Sequence, residues 1–420
     1  MAYIPSILEQ HADEAITLIP LREKAINGVT STLSGLIKLD YRLDANFDGL
    51  RIADDAGWEI CERLVQEERT AGAFTAAVVA FSSGNEARVQ KIVDAASKNP
   101  GIACELASAL GWLSFTKVEQ YIYRFLSCDQ PVIRNAGVAA LARHGIDPAS
   151  MLQSAIEGSD HSQRCQLLRA AGELGRADLL ALLQDELSTE DTDCRFWAAW
   201  SSTLLGGCPD ASAVLESFVE APGHYQEEAV SMLSRRHSRE QSAHFIDFSS
   251  HSLRNSRLTT IAAGANGHSF CVPILIEQMK IPELARLAGE AFTMITGVGV
   301  ASISLDASRP QGFEAGPTDD PEDDDVEPDL DDGLPWPDPA AAAQWWEEHQ
   351  GDFEPESRYL LGRPISANWM YDILLSGRQG QRIAANLELA MLQRGMLMFD
   401  LQAPAFRQQQ RLRSTISNHA

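Results

Sequence analysis

Asp129-Gln-Pro-Val-Ile-Arg-Asn-Ala-Gly-Val-Ala-Ala-Leu-Ala-Arg-His-Gly145, His161-Ser-Gln-Arg-Cys-Gln-Leu-Leu-Arg-Ala-Ala-Gly-Glu-Leu-Gly175 and Thr192-Asp-Cys-Arg-Phe-Trp-Ala-Ala-Trp-Ser-Ser-Thr-Leu-Leu-Gly206 are three versions of one segment. Each sets an arginine (Arg134, Arg164, Arg195) eleven residues before a glycine (Gly145, Gly175, Gly206), with compact residues between them. A compact run closed by Gly reads as a helix with a fixed end, because Gly enters the left-handed conformation that stops a helix at little cost. The copies stand about thirty residues apart, and self-similarity at that period marks a helical solenoid whose units bury their apolar faces only against neighbours.

The pattern extends in both directions. First helices of successive pairs are predicted to start near Gly72, Pro100, Gln130, Asp160, Asp191, Pro222, Ser252 and Pro282. Pro suits the first helical turn, and Asp160 and Asp191 suit the capping position. Arg286 repeats the eleven-residue interval, to Gly297. Eight pairs therefore occupy 71–297. Residues 1–70 contain amphipathic helices that do not follow the repeat and read as a helical cap, which terminal solenoid units need where one face meets water. Residues 298–335 read as an extended start followed by an acidic linker, and 336–420 as a small C-terminal helical module. The fold class is all-α, a right-handed α-solenoid of helix pairs.

Charge limits the function classes. The net charge is −25, and the eleven carboxylates of Glu314–Asp332 account for fewer than half of that excess. An acidic body repels a phosphate backbone, so nucleic acid and anionic membrane are disfavoured and a basic protein partner is favoured. The seven cysteines are scattered and never spaced Cys-x-x-Cys, so they read as reduced, mostly buried thiols, with no metal and no cofactor expected. The sequence shows no signal-like start and no run of eighteen apolar residues, which predicts a cytoplasmic location.

Arg134, Arg164, Arg195 and Arg286, each followed by Ala-rich spacing and a closing Gly, resemble HEAT repeats of the short type found in phycobilisome-lyase-like proteins. That resemblance implies that the arginines are structural and ladder between units. Four further stretches, Leu39–Arg51 with Gly57-Trp58, Ala285–Gly297, Asp332–Asp338 and Ala403–Gln408, resemble an uncharacterised bacterial family of HEAT-repeat proteins often encoded beside type VI secretion genes. The resemblance implies an accessory of toxin delivery or resistance and brings no active site with it.

Enzyme signatures are missing. None of the ten His residues is followed by Glu, which removes the His-Glu ligand pattern of di-iron enzymes on this fold, and no phosphate-binding Gly-Lys loop or nucleophile elbow is present. His237, His244 and His251 recur every seven residues, but no carboxylate matches them and they read as solvated or core histidines. Phe196, Trp197 and Trp200 read as core rather than a base-stacking platform. The aspartates from Asp319 to Asp332 lack the Gly and Glu of a calcium loop and read as an exposed tether or partner-binding tail. The candidate contact residues are Asp323, Asp324 and Asp325 in that tail, Trp345 and Trp346 in the helix after it, and Arg407, Arg411 and Arg413 near the C-terminus. From Arg358 to Ala420 there are eight Arg and three acids, so this basic stretch could neutralise the acidic one. The functional expectation is a binding scaffold whose acidic groove holds a basic secreted effector, as an immunity protein or an adaptor. The alternatives are a modifying enzyme or lyase on the same scaffold, or a spacer.

Overall fold

The computed structural model describes residues 4–67, 70–250, 256–300, 305–316 and 329–419, without the side chains of 247–250 and 415–419. The described chain is all-α and solenoid-like, and divides into two compact units, one of residues 1–214 with 371–420 and one of residues 215–370. The compact units thus cut across the boundaries read from the sequence. One division falls inside the repeats, and the C-terminal residues are shared between both units.

In the first unit α1 (Pro5–Asn27), α2 (Leu33–Ile52) and α3 (Asp55–Gln66) form the non-repeating start. The pairs follow: α4 (Thr70–Ser83) with α5 (Glu86–Ala96), α6 (Pro100–Trp112) with α7 (Phe115–Leu126), α8 (Pro131–Arg143) with α9 (Ser150–Glu157), and α10 (His161–Glu173) with α11 (Leu180–Asp185). Next come α12 (Thr192–Leu204) and α13 (Pro209–Glu220), the latter spanning the division between units. The second unit holds α14 (Gln226–Arg236), α15 (Arg239–Ser250), α16 (Ser256–Asn266), α17 (Val272–Gln278), α18 (Pro282–Thr296) and α19 (Pro339–His349). A two-residue hairpin, β1 (Tyr359–Leu360) with β2 (Arg363–Pro364), stands where the sequence reading has only helices. The chain ends with α20 (Ala367–Ser376), α21 (Gln379–Leu392) and α22 (Ala405–His419).

First helices stack on first helices, α4 on α6 on α8 on α10 on α12 in one unit and α14 on α16 on α18 in the other. Their composition explains this central position. In α4 every residue from Gly72 to Phe81 is buried, and a helix apolar all round must be covered on all sides. Second helices are amphipathic: α7 buries Val118, Tyr121, Ile122 and Phe125, the three-to-four spacing of one helix face. Small residues set how closely first helices approach. A side chain on Gly172 of α10 would meet Ser201 of α12 at 2.6 Å, and the Ser201 hydroxyl already donates to Leu168 O.

Predicted starts hold closely: α6 begins at Pro100 and α18 at Pro282, while Asp160 and Asp191 cap α10 and α12 through the amides of Gln163 and Cys194. The helix predicted at Pro222 starts later, at Gln226. Ser252 and residues 301–304 of the predicted extended segment lie outside the described residues. The repeat arginines hold their own entry loops. Arg134 donates to Cys128 O, Arg164 to Ser159 O and Arg195 to Thr189 O, at 2.9, 3.1 and 2.9 Å. Arg164 also lies 3.8 Å from Glu186, which follows α11 in the same pair, so the contact stays within one repeat.

Candidate functional site

The closing glycines do more than stop helices. Gly145, Gly175, Gly267 and Gly297 all have φ between 70° and 78°, and the returning C-terminal chain runs against them. In the first unit a Cβ on Gly175 would lie 2.5 Å from Gly395 C, Gly145 faces Leu397, and Met398 N–H donates to Glu173 O at 2.7 Å. In the second unit Tyr359 N–H donates to Gly267 O at 2.8 Å, and Leu361 and Gly362 donate to Met294 O and Ile295 O. Gly is required here for conformation and for close backbone approach together. The segment over Gly145 and Gly175 carries Leu392, Met396 and Leu397, all about half exposed or more.

Around this edge the first unit concentrates buried polarity. Arg22 donates to Asp40 at 2.5 Å and to the carbonyls of Gln402 and Ala403, and its guanidinium lies 4.7 Å over the Trp112 ring. Asp40, fully buried, also accepts the Ala405 N–H. Arg143 donates to Gln402 Oε1 at 2.9 Å. Beside it Glu105 is half-buried, and burial, reinforced by Glu23 and opposed by Arg143, pushes its carboxyl up to about 7.

The sign of that shift gives a prediction. A carboxyl raised above its ordinary 4.5 binds its proton better in the folded chain, so its contribution to stability is present below 4.5 and lost as pH rises through 7. Glu105→Gln is expected to raise stability by about 1–3 kcal/mol at pH 8 and to change little at pH 5. Urea midpoints at the two pH values check this, and an equal shift at both would refute the assignment.

The candidate contact residues separate. Asp323, Asp324 and Asp325 lie outside the described residues. At the described end of the acidic segment, Asp329 makes a two-pronged pair with Arg286, and Asp331 with Arg257, at 2.7–3.0 Å. Arg286 is therefore not a copy of the three earlier repeat arginines. Trp346 is 9% exposed and packs on Phe353 in the core of the second unit, while Trp345 is half-buried against that core, stacking on His349 and meeting Phe292 edge-on. Arg407 is half-buried, donating to Gly111 O and Trp112 O, which removes it from an exposed tail. Arg411 is half-buried and Arg413 exposed. Arg413 lines a pocket of 350 Å³ with Phe406, Gln409, Gln410 and Ser414. Phe196 and Trp200 are buried, and Trp197 lies under the Arg169 guanidinium at 4.6 Å.

Two features escaped the sequence reading. From 125 to 214 no Lys occurs and every Arg is half-buried, while Asp129, Asp147, Glu157, Asp185, Glu190 and Asp193 are exposed. Arg176 pairs with Asp147 and Asp178 at 2.7 Å, the other half-buried arginines have the internal partners already described, and only the fold reveals that. The second feature joins neighbouring repeats: His161, Asp191 and Cys194 bring ligand atoms within 4.8 Å of one another, with Cys165 Sγ 3.1 Å from Cys194 Sγ. Of the histidines spaced by seven, His237 is half-buried with burial lowering its pKa, His244 is exposed and His251 lies outside the described residues. No helix among the described residues is long and apolar enough to cross a membrane. Comparison with protein-family models, with curated proteins and with solved structures finds no match.

Proposed function

We propose that the protein is a non-enzymatic scaffold that holds a basic protein partner, in the setting that its resemblance implies an effector bound by an immunity protein or adaptor. The observation that carries this reading is the charge segregation over 125–214, where arginines turn inward onto carbonyls and carboxylates of their own unit and the exposed charges are acidic. A surface of one sign raises the capture rate of an oppositely charged partner and rejects like-charged ones. The density of Asp and Glu on α9 to α12 and their loops, rather than a shaped pocket, is what would select a basic surface.

The test is co-purification of the tagged protein from its own host at moderate salt, with partners identified by mass spectrometry. A basic protein is expected to be retained and to be lost from the triple variant Glu157→Lys, Asp185→Lys, Glu190→Lys, whose positions are exposed and leave the core untouched. Retention by that variant equal to the parent's would overturn the reading.

A further inference from the structure

We propose that His161, Cys165, Asp191 and Cys194 form a zinc site that clamps two successive first helices, α10 and α12. The proposal is independent of the partner-binding reading and assigns a metal where the sequence predicts none. The four side chains come from two places. His161 opens α10 and Cys165 lies one turn later on the same face, while Asp191 caps α12 and Cys194 sits in its first turn. Stacking of α10 on α12 then brings the pairs together.

Ligand atoms of His161, Asp191 and Cys194 lie within 4.8 Å of one another, and Cys165 Sγ stands beside them, 3.1 Å from Cys194 Sγ. Around zinc, with metal–sulfur bonds of about 2.3 Å and metal–nitrogen or metal–oxygen bonds of about 2.0–2.1 Å, the edges of a tetrahedron run from about 3.3 Å for N···O to about 3.8 Å for S···S. His161 Nδ1 lies 3.3 Å from Asp191 Oδ2, one such edge, while Cys165 Sγ lies 3.9 Å from the other carboxylate oxygen, Oδ1. The two sulfurs are 3.1 Å apart, a short edge that an ion between them would widen by about 0.7 Å. The donor set of two sulfurs, one imidazole and one carboxylate suits zinc, and four ligands from the protein make a closed structural site rather than a catalytic one with an open position.

The surroundings favour a dication over two thiols. An S–H group is a weak donor, so protonated cysteines gain little from being pressed together beside a carboxylate. Binding would release both thiol protons, and two thiolates, one carboxylate and Zn2+ leave a net charge of −1 at the site. The carboxylate is already oriented, because Asp191 Oδ1 accepts the Cys194 N–H at 2.7 Å. Cys194 is buried, Cys165 half-buried, and the His161 side chain is 76% exposed, so an ion enters from the His161 side.

The spacing explains why the site is hidden in the sequence. His-x-x-x-Cys and Asp-x-x-Cys are each unremarkable, and only the repeat period places one over the other.

The experiment uses the full chain, purified under reducing conditions, stripped with chelator and reloaded with Co2+ as the spectroscopic probe. A stoichiometric complex with thiolate charge-transfer absorption and the strong visible bands of tetrahedral cobalt is expected, bleached on adding Zn2+. Cys165→Ser and His161→Ala, at half-buried and exposed positions that folding tolerates, are each expected to lose those bands, and Cys208→Ser to keep them. No charge-transfer band in the parent protein, an undiminished band in Cys165→Ser, or a Cys165–Cys194 disulfide in the freshly purified protein would each overturn the proposal. A circular dichroism melt with and without Zn2+ provides the second readout: the parent's Tm rises with metal and that of Cys165→Ser does not. Equal rises in both would place the metal elsewhere and overturn it as well.

Discussion

Asp40→Ala lowers stability by about 3–5 kcal/mol, the cost of removing one partner from a buried ion pair. Asp40 is fully buried on α2 and serves two donors at once, Arg22 from α1 and the Ala405 N–H at the start of α22. Removing the carboxylate leaves Arg22, 11% exposed, with only the carbonyls of Gln402 and Ala403, and leaves a buried amide without its acceptor. The damage spreads, because Arg22 also covers the ring of Trp112, whose indole N–H donates to Asp44 at 2.9 Å and whose edge meets Phe47 and Phe74. Asp40→Asn keeps an acceptor and the shape but loses the charge, so its cost is smaller, about half. Urea unfolding followed by far-ultraviolet circular dichroism measures both. A loss under about 1 kcal/mol for Asp40→Ala would mean that the pair is solvated and offsets only its own desolvation.

What the sequence could and could not announce follows from the range of each interaction. Helix starts and stops are written locally, in Pro100, Asp160, Asp191, Gly145 and Gly175, and a periodic chain repeats that information until the solenoid is legible. Arg134, Arg164 and Arg195 are legible as structural for the same reason. Their main partners lie five or six residues upstream. Arg286 keeps the spacing of the repeat but pairs with Asp329, forty-three residues away in the sequence, and spacing says nothing of that. Trp345 and Trp346 look like a surface pair on an Ala-rich helix because sequence does not disclose that α19 packs into the core around Phe292 and Phe353. The double task of the closing glycines is likewise silent. A helix-ending Gly and a Gly that admits a second backbone are the same letter, and Gly395 against Gly175 appears only when the C-terminal chain has returned.

Deleting residues 399–420 is expected to cost more than about 5 kcal/mol, enough to unfold a domain of ordinary stability at 25 °C. The deleted residues look like an appendage by composition, a Gln- and Arg-rich end, yet their groups are built into the first unit. Gln408, fully buried, accepts from Arg382 Nη2 at 2.6 Å. Arg382 is itself fully buried, its other two acceptors are Leu374 O and Gln379 Oε1, and burial pulls its pKa down to about 10. Stripping one of three neutral acceptors from a buried cation costs several kcal/mol, since a hydrogen bond to a charged group is among those most expensive to leave unmade. The same deletion removes the Phe399 backbone from Asn386, Gln402 from Arg143, and Arg407 from the carbonyls that end α6, and it exposes the pocket of the fully buried Leu412. Arg413→Ala, at an exposed position, is expected to shift stability by no more than about 0.5 kcal/mol. The two variants together decide where a partner could sit. If binding of a basic partner is lost in the deletion but kept in Arg413→Ala, the deletion has acted through the fold, and the partner's surface is the acidic one that the intact C-terminal chain holds in place. If the deleted protein unfolds at the parent's urea midpoint, the last residues are an appendage after all, and the hydrogen bonds around Arg382 contribute far less than burial implies.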